Sequence, residues 1–404
     1  MQQTTLFSAL QCTRCGATYP TDHIGDKTCA DDGYLVARYD LARGAQSATR
    51  VRASEKSLWR YASMLPVGNP DAVVSLGEGW TPLIHAGRAG ARLGCRDLHI
   101  KDEGRNPSGT FKDRGASVAI SRYRELGVRS VILHSSGNAG AAWSLYAARA
   151  GFQCVAILPS DVSDASLAQC TAAGCRTHVC EDWHQAGNVA SDLARRNGWV
   201  NVGTLKEPYR IEGKKTMGYE IAEQLGWSLP NAVFYPIGGG TGAIAIWKAF
   251  AEMRALRWVD DRPVRLFVSQ YEGCAPIVKA FEENRTECSA WGRIDIPPGG
   301  LKSPNPPGGR DVLALIRESG GAALSVSADE ARRAARDLAQ SEGLFVGLEA
   351  ATTFAALTKA LERGLLARSD RIVLVATGSG LKSVASLDVE RPTGIRTAED
   401  TAMI

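Results

Sequence analysis

The chain has 404 residues, 44% hydrophobic and 22% charged, long and apolar enough for two or more domains around a sizeable core. Its formal charge of +4 comes without any Lys/Arg block, which points away from nucleic acid and anionic membranes as partners. No apolar run reaches the ~18–20 residues of a membrane span, the first residues carry no leader pattern, and ten cysteines scattered over this length suit reduced thiols in a cytoplasm.

Cys12-Thr13-Arg14-Cys15 opens a Gly/Asp-rich segment that runs to about Tyr39. With Cys29-Ala30-Asp31-Asp32-Gly33 it reads as half of a zinc ribbon, Cys12, Cys15 and Cys29 being candidate ligands and Asp32 or His23 a fourth. Asp32 stands where a full ribbon has its last cysteine, so a decayed, metal-free ribbon is the alternative. Arg50 to Met64 predicts a helical connector whose Leu58-Trp59-Arg60-Tyr61 packs on the main body of the chain. Leu98 to Glu103 predicts a strand and Gly115 to Leu126 a helix. Between them, Ser108-Gly109-Thr110-Phe111-Lys112-Asp113-Arg114-Gly115 puts Lys112 where a Gly-rich turn enters that helix. An amine there, beside a polar pocket, can form a Schiff base with an aldehyde cofactor. The plain alternative is a solvated charge.

Further strands are predicted at Ser130 to Leu133, Gln153 to Leu158, Arg176 to Val179, Trp199 to Val202, Ala232 to Ile237, Val264 to Ser269 and Arg371 to Ala376. Helical patterns lie between them, for example Asn138 to Ala150, Ser163 to Ala173 and Ala328 to Glu342. This alternation predicts an α/β fold of parallel, doubly wound sheets, in which ligands sit beyond the carboxyl ends of the strands. The Gly-rich loops all follow strands, so they are expected to converge on one crevice. The turn-rich stretch Ile296 to Gly309 is too long for a simple connector and is expected to lie over the site.

Three loops carry chemistry beside Lys112. Ser135-Ser136-Gly137-Asn138-Ala139-Gly140 offers free N–H groups at a helix start, a carboxylate nest, with Asn138 as a donor or simply an N-cap. Gly238-Gly239-Gly240-Thr241-Gly242 lets backbone amides wrap a phosphate, and it is neither a Walker motif nor a dinucleotide fingerprint. Thr377-Gly378-Ser379-Gly380 places a hydroxyl at a strand end. Facing a ring nitrogen, a hydroxyl does not keep it protonated as a carboxylate does, which favours elimination or replacement over transamination.

In this order the four loops resemble the tryptophan-synthase-β-like, fold type II enzymes that use pyridoxal phosphate. Val74 to Thr81, Asn106 to Gly115, Glu207 to Glu220, Tyr235 to Phe250 and Glu272 to Ile277 resemble bacterial and archaeal threonine synthases, over about Leu10 to Lys382. The resemblance implies that Lys112 carries the cofactor as a Schiff base and shuttles protons. It implies that Asn138 contacts the phenolate oxygen, that Gly238, Gly239, Gly240 and Thr241 hold the phosphate, and that Thr377 faces the pyridine nitrogen. Ser135, Ser136 and Gly137 would grip the substrate carboxylate and Arg210 the substrate phosphate. The implied architecture is a ribbon-like segment (1–45), a large cofactor domain (46–111 and 203–390), a small domain (112–202) that closes on substrate, and a tail (391–404), in a homodimer.

Two departures bear on the substrate. Threonine synthases usually have Thr after the Asn of the Gly-Asn loop, where this chain has Ala139. Polar residues common before the arginine are replaced by Thr204-Leu205-Lys206-Glu207-Pro208-Tyr209, with Lys101, Lys206, Lys214 and Lys302 as compensating cations. The activity the resemblance implies is conversion of the small molecule O-phospho-L-homoserine, with water, to L-threonine and phosphate. The alternative is β-elimination or β-replacement on serine, threonine, phosphoserine or a related amino acid, as in dehydratases and cysteate-synthase-like enzymes. A third reading, a zinc-ribbon binding protein with a silent enzyme body, is opposed by the intact Lys112.

Overall fold

The computed structural model describes residues 5–24, 33–46 and 51–387. Strands β1 (Phe7–Cys12), β2 (Thr18–Tyr19) and β3 (Leu35–Tyr39) form an antiparallel sheet in the order β2-β1-β3. Next come β4 (Leu83–His85) and β5 (Leu98–Asp102). A parallel four-stranded sheet, ordered β8-β7-β6-β9, is built from β6 (Ser130–His134), β7 (Gln153–Leu158), β8 (Arg176–Val179) and β9 (Val200–Asn201). The chain then returns through β10 (Ala232–Pro236), β11 (Arg265–Tyr271), β12 (Ala322–Val326) and β13 (Ile372–Ala376). These join the earlier pair as β12-β11-β10-β13-β5-β4. All pairings there are parallel except β4 with β5.

The predicted strands are present and β9 is shorter than expected. β4 and β12 are additions at the two edges of the large sheet. The helical connector reduces to a 3-10 turn, Leu58–Met64, whose start is capped by the Ser57 hydroxyl. Leu58, Trp59, Tyr61 and Met64 in that turn are buried in the core, so the segment packs on the main body as expected, and the buried Arg60 adds a charge pair with Glu223 at 2.5 Å.

The helix Lys112–Glu125 lies against the helix Tyr209–Gln224 at backbone contact distance. A Cβ on Gly213 would fall 1.9 Å from the Arg114 carbonyl oxygen, so only glycine permits this approach. Arg114 then reaches across the helix pair. Its guanidinium donates to both Glu220 oxygens at 2.6 and 2.7 Å and to both Glu103 oxygens at 2.6 and 2.7 Å, all fully buried. Lys101 completes the cluster on Glu220 at 2.7 Å. Buried charges persist only when paired this completely. The N-terminal sheet docks on the same region, where the buried Tyr39 hydroxyl donates to Glu212 at 2.9 Å.

Candidate active site

The Lys112 turn is fixed from both sides. Gly109 takes a φ of 82°, a left-handed conformation that suits glycine. Ser108 donates its N–H and hydroxyl to Asp113 at 2.9 and 2.7 Å, which ties the turn to the first helical residues. Phe111 N–H donates to the Thr377 carbonyl at 3.0 Å and Ser379 N–H to the Gly109 carbonyl at 2.9 Å. These bonds dock the end of β13 on the turn and bring Thr377 beside Lys112. The lysine Nζ lies 4.0 Å from the centre of the Phe111 ring and has no hydrogen-bond partner among the described residues.

Lys112 opens into a cavity of about 300 Å³. Ser135, Ser136, Asn138, Arg210, Gly238, Gly239, Gly240, Thr241 and Thr377 line the same cavity, so the four loops do converge. Gly137 does not reach the lining. It takes a φ of 128° and shapes the turn into the helix Asn138–Ala150. Ser135 Oγ accepts from the Gly137 and Gly140 N–H groups at 3.1 and 2.9 Å, so this hydroxyl also holds the nest in shape. Gly300 to Asn305 and Pro307 supply another wall, which places the turn-rich loop over the site as expected.

The triple glycine ends at the helix Thr241–Ala255, whose N-terminal amides and dipole favour an anion. Close packing explains the composition. A Cβ on Gly238 would stand 2.6 Å from the Gly300 oxygen, and one on Gly242 1.8 Å from the Tyr235 hydroxyl. Lys214 Nζ donates to Thr241 Oγ1 at 2.6 Å, which adds a buried amine to the cradle.

The cavity is cationic. Burial, together with Arg210, pulls the Lys112 ammonium down to about 8, with Glu349 opposing. Burial and then Arg210 and Lys112 drive Lys214 well below the ordinary lysine range. Burial likewise lowers Arg210. His134 is pushed down to about 4 by burial, Arg210 and Lys206. Anions arriving beside these groups relieve their mutual repulsion. Glu349 is the carboxylate in the lining, held by the Gly300 N–H and, at 3.4 Å, by Asn138 Nδ2.

Of the four candidate compensating lysines, Lys206, Lys214 and Lys302 line the cavity. Lys101 is spent in the Glu220 cluster and stands outside it, a correction to the sequence reading. Lys302 is already paired with Asp161 at 2.7 Å. Leu205 and Glu207 are both absent from the lining, although Glu207 pairs with the Arg210 Nε at 3.5 Å. Leu205 packs with Val36, Ile211 and Ala245, while Glu207 accepts from the Tyr209 and Arg210 N–H groups at 2.7 and 3.0 Å, capping the helix Tyr209–Gln224. Ala139 does face the cavity.

Glu349 and His134 were missed in the sequence. Glu349 sits in the first turn of the otherwise apolar helix Leu348–Glu362, and His134 ends β6. The available signal was position alone, a lone acid after Gly347 and a ring directly before the Ser135 nest. No group of three or more His, Cys, Asp or Glu residues placed to hold a metal occurs among the described residues. Zinc is thus not supported. Cys12 is buried at the end of β1, Cys15 is exposed in the following turn, and Cys29, Asp32 and the tail lie outside the described residues.

An unengaged lysine amine, a glycine-lined helix start and a strand-end hydroxyl in one cavity fit pyridoxal phosphate. A family model described as "Pyridoxal-phosphate dependent enzyme" matches residues 74–378. Threonine synthase of Methanocaldococcus jannaschii is 36% identical over 376 residues, 92% of each chain, and that of Methanosarcina acetivorans 34% identical over 388 residues, 95% of each. The chain therefore belongs to the threonine synthase family of the fold type II pyridoxal-phosphate-dependent enzymes, which are lyases in this branch. Among solved structures, tomato threonine deaminase isoform 2 shares the fold with a TM-score of 0.63 at 21% identity, over 76% of this chain and 86% of that one. Maize serine racemase does so with 0.62 at 20% identity, over 74% and 88%. No helix among the described residues is long and apolar enough to cross a membrane.

Proposed function

We propose that this chain converts O-phospho-L-homoserine and water to L-threonine and phosphate. The observation that carries the proposal is that Arg210, Lys206 and Lys214 line the same cavity as the glycine cradle, with Lys214 bonded to Thr241. These are more basic groups than one cofactor phosphate needs, which leaves capacity for a phosphate on the substrate.

The bound cofactor would supply an electron sink for charge developing on the substrate carbons. The chain would do the rest. Ser135 and Ser136, which line the cavity, would hold the substrate carboxylate and Arg210 the departing phosphate. Lys112, with its ammonium lowered to about 8, would take and return protons at neighbouring carbons near neutral pH. Asn138 would meet the phenolate oxygen. The Thr377 hydroxyl would face the ring nitrogen without fixing a proton there. Closure of a small domain (112–202) on a large one (46–111 and 203–390), with residues 300–305 above, would exclude water until phosphate has left. A cytoplasmic homodimer accords with the family reading.

The test is product analysis of the holoenzyme with O-phosphohomoserine. Threonine and inorganic phosphate in equal amounts support the proposal. A second reading, β-elimination or β-replacement on serine, threonine or phosphoserine, is favoured by Ala139, which gives the cavity no hydroxyl at that point. A 2-oxo acid with ammonia, or a new β-substituted amino acid, would establish it instead.

A further inference from the structure

Next to Arg210 stands a group that the family likeness does not assign. His134 ends β6, and its imidazole lines the cavity together with Ala139, Trp183, Lys206 and Arg210. The ring is slotted into place. A Cβ on Gly203 would lie 3.3 Å from its Nδ1 and one on Gly187 3.5 Å from its Cε1, while the Trp183 ring meets it edge-on at 6.1 Å. Nδ1 is buried with no hydrogen-bond partner, and so is Nε of Arg210, whose nearest carboxylate, Glu207, stands 3.5 Å away. Lys206 forms no ion pair among the described residues. Arg210 Nη2 donates to the Val202 carbonyl, but His134 Nδ1, Arg210 Nε and the Lys206 ammonium leave hydrogen-bonding capacity that protein groups do not use. Buried polar atoms are rarely left so without a ligand to take them.

We infer that His134 is a specificity-determining ligand for the anionic tail of the substrate, completing an oxyanion site with Arg210 and Lys206 on the wall where Ala139 offers no hydroxyl. This rests on the proposed reaction, since the tail is the phosphate of that substrate. The neutral ring brings one N–H donor and the protonated ring two. The dianion's own charge favours the protonated ring, against the burial and the cations that lower its pKa before substrate arrives.

The experiment measures binding to the holoenzyme from the change in cofactor absorbance, with inorganic phosphate, O-phosphohomoserine and L-threonine as probes, and compares wild type with His134→Ala, His134→Phe and His134→Gln. His134→Phe keeps a ring against Trp183 and loses the donors, so a result survives if the alanine variant fails to fold. Both donor-free variants are expected to bind the two phosphorylated probes about tenfold or more weakly, the scale of one hydrogen bond to a charged group. L-threonine binding is expected to stay within about twofold, and His134→Gln to recover part of the loss. Unchanged phosphate binding in His134→Phe overturns the inference, as does an equal loss for L-threonine, which would mark a structural role. If the wild type binds neither phosphorylated probe yet turns over serine, the proposed reaction fails and this inference with it. If the wild type makes threonine and the His134 variants bind the phosphorylated probes as the wild type does, the inference alone fails.

Discussion

Gly213→Ala probes the contact that holds Lys112 in place. The new methyl would sit 1.9 Å from the Arg114 oxygen, 2.5 Å from its carbonyl carbon and 2.9 Å from the Gly115 nitrogen. All three are backbone atoms, so no rotamer change gives relief. Restoring a C···O contact of about 3.3 Å requires the two helices to part by about 1.4 Å. The Arg114–Glu220 bonds of 2.6 and 2.7 Å cross the same gap. That shift stretches them to about 4 Å, beyond hydrogen bonding. Depriving a buried charge of its partner costs about 3–5 kcal/mol, against a typical total stability of about 5–15 kcal/mol. Spread over 404 residues, that cost should lower the Tm of thermal unfolding, followed by circular dichroism, by about 4–6 °C. Cofactor loading should fall in parallel, because Lys112 begins the displaced helix. Gly292→Ala, with open space around its Cβ, is the control. A Gly213→Ala protein that unfolds with its control and loads cofactor fully would refute the reasoning.

Cofactor loading should also report the Lys112 environment. The reacting form is the neutral amine. With a pKa lowered to about 8, the neutral fraction at pH 7 is about 9%, against about 0.03% for an ordinary lysine. The loading rate of apoprotein should rise about tenfold per pH unit below 8 and level off above it, and Glu349→Gln, which removes the opposing carboxylate, should move the bend to lower pH. A rise that continues toward pH 10 would contradict this. Ala139→Thr returns a hydroxyl to the cavity wall and should lower KM for O-phosphohomoserine about 2- to 10-fold. An unchanged KM would count against a substrate phosphate at that wall.

The convergent loops were legible because each follows a strand, and parallel sheets send all such loops to one edge. β12 was not, because Ala322–Val326 is short and follows two glycines, so small residues blur its pattern. Glu349 was hidden by the apolar helix around it, since the burial of a charge is a tertiary fact. Leu205 is the converse case. It adjoins Arg210 in sequence, but a positive φ of 58° turns it into a separate apolar cluster, whereas Glu207 stays beside Arg210, paired with its Nε at 3.5 Å and accepting from backbone N–H groups. Arg60 was read as part of a polar connector, and its pairing with Glu223 depends on a partner 163 residues away.

Reductive trapping tests the central claim most directly, because four lysines line this cavity: Lys112, Lys206, Lys214 and Lys302. The holoenzyme is treated with borohydride, digested, and the pyridoxyl-bearing residue found by mass spectrometry. The account predicts the label on Lys112 alone, and none in Lys112→Ala. A label on Lys214 or Lys206, or a wild-type protein that takes up no label, would contradict it.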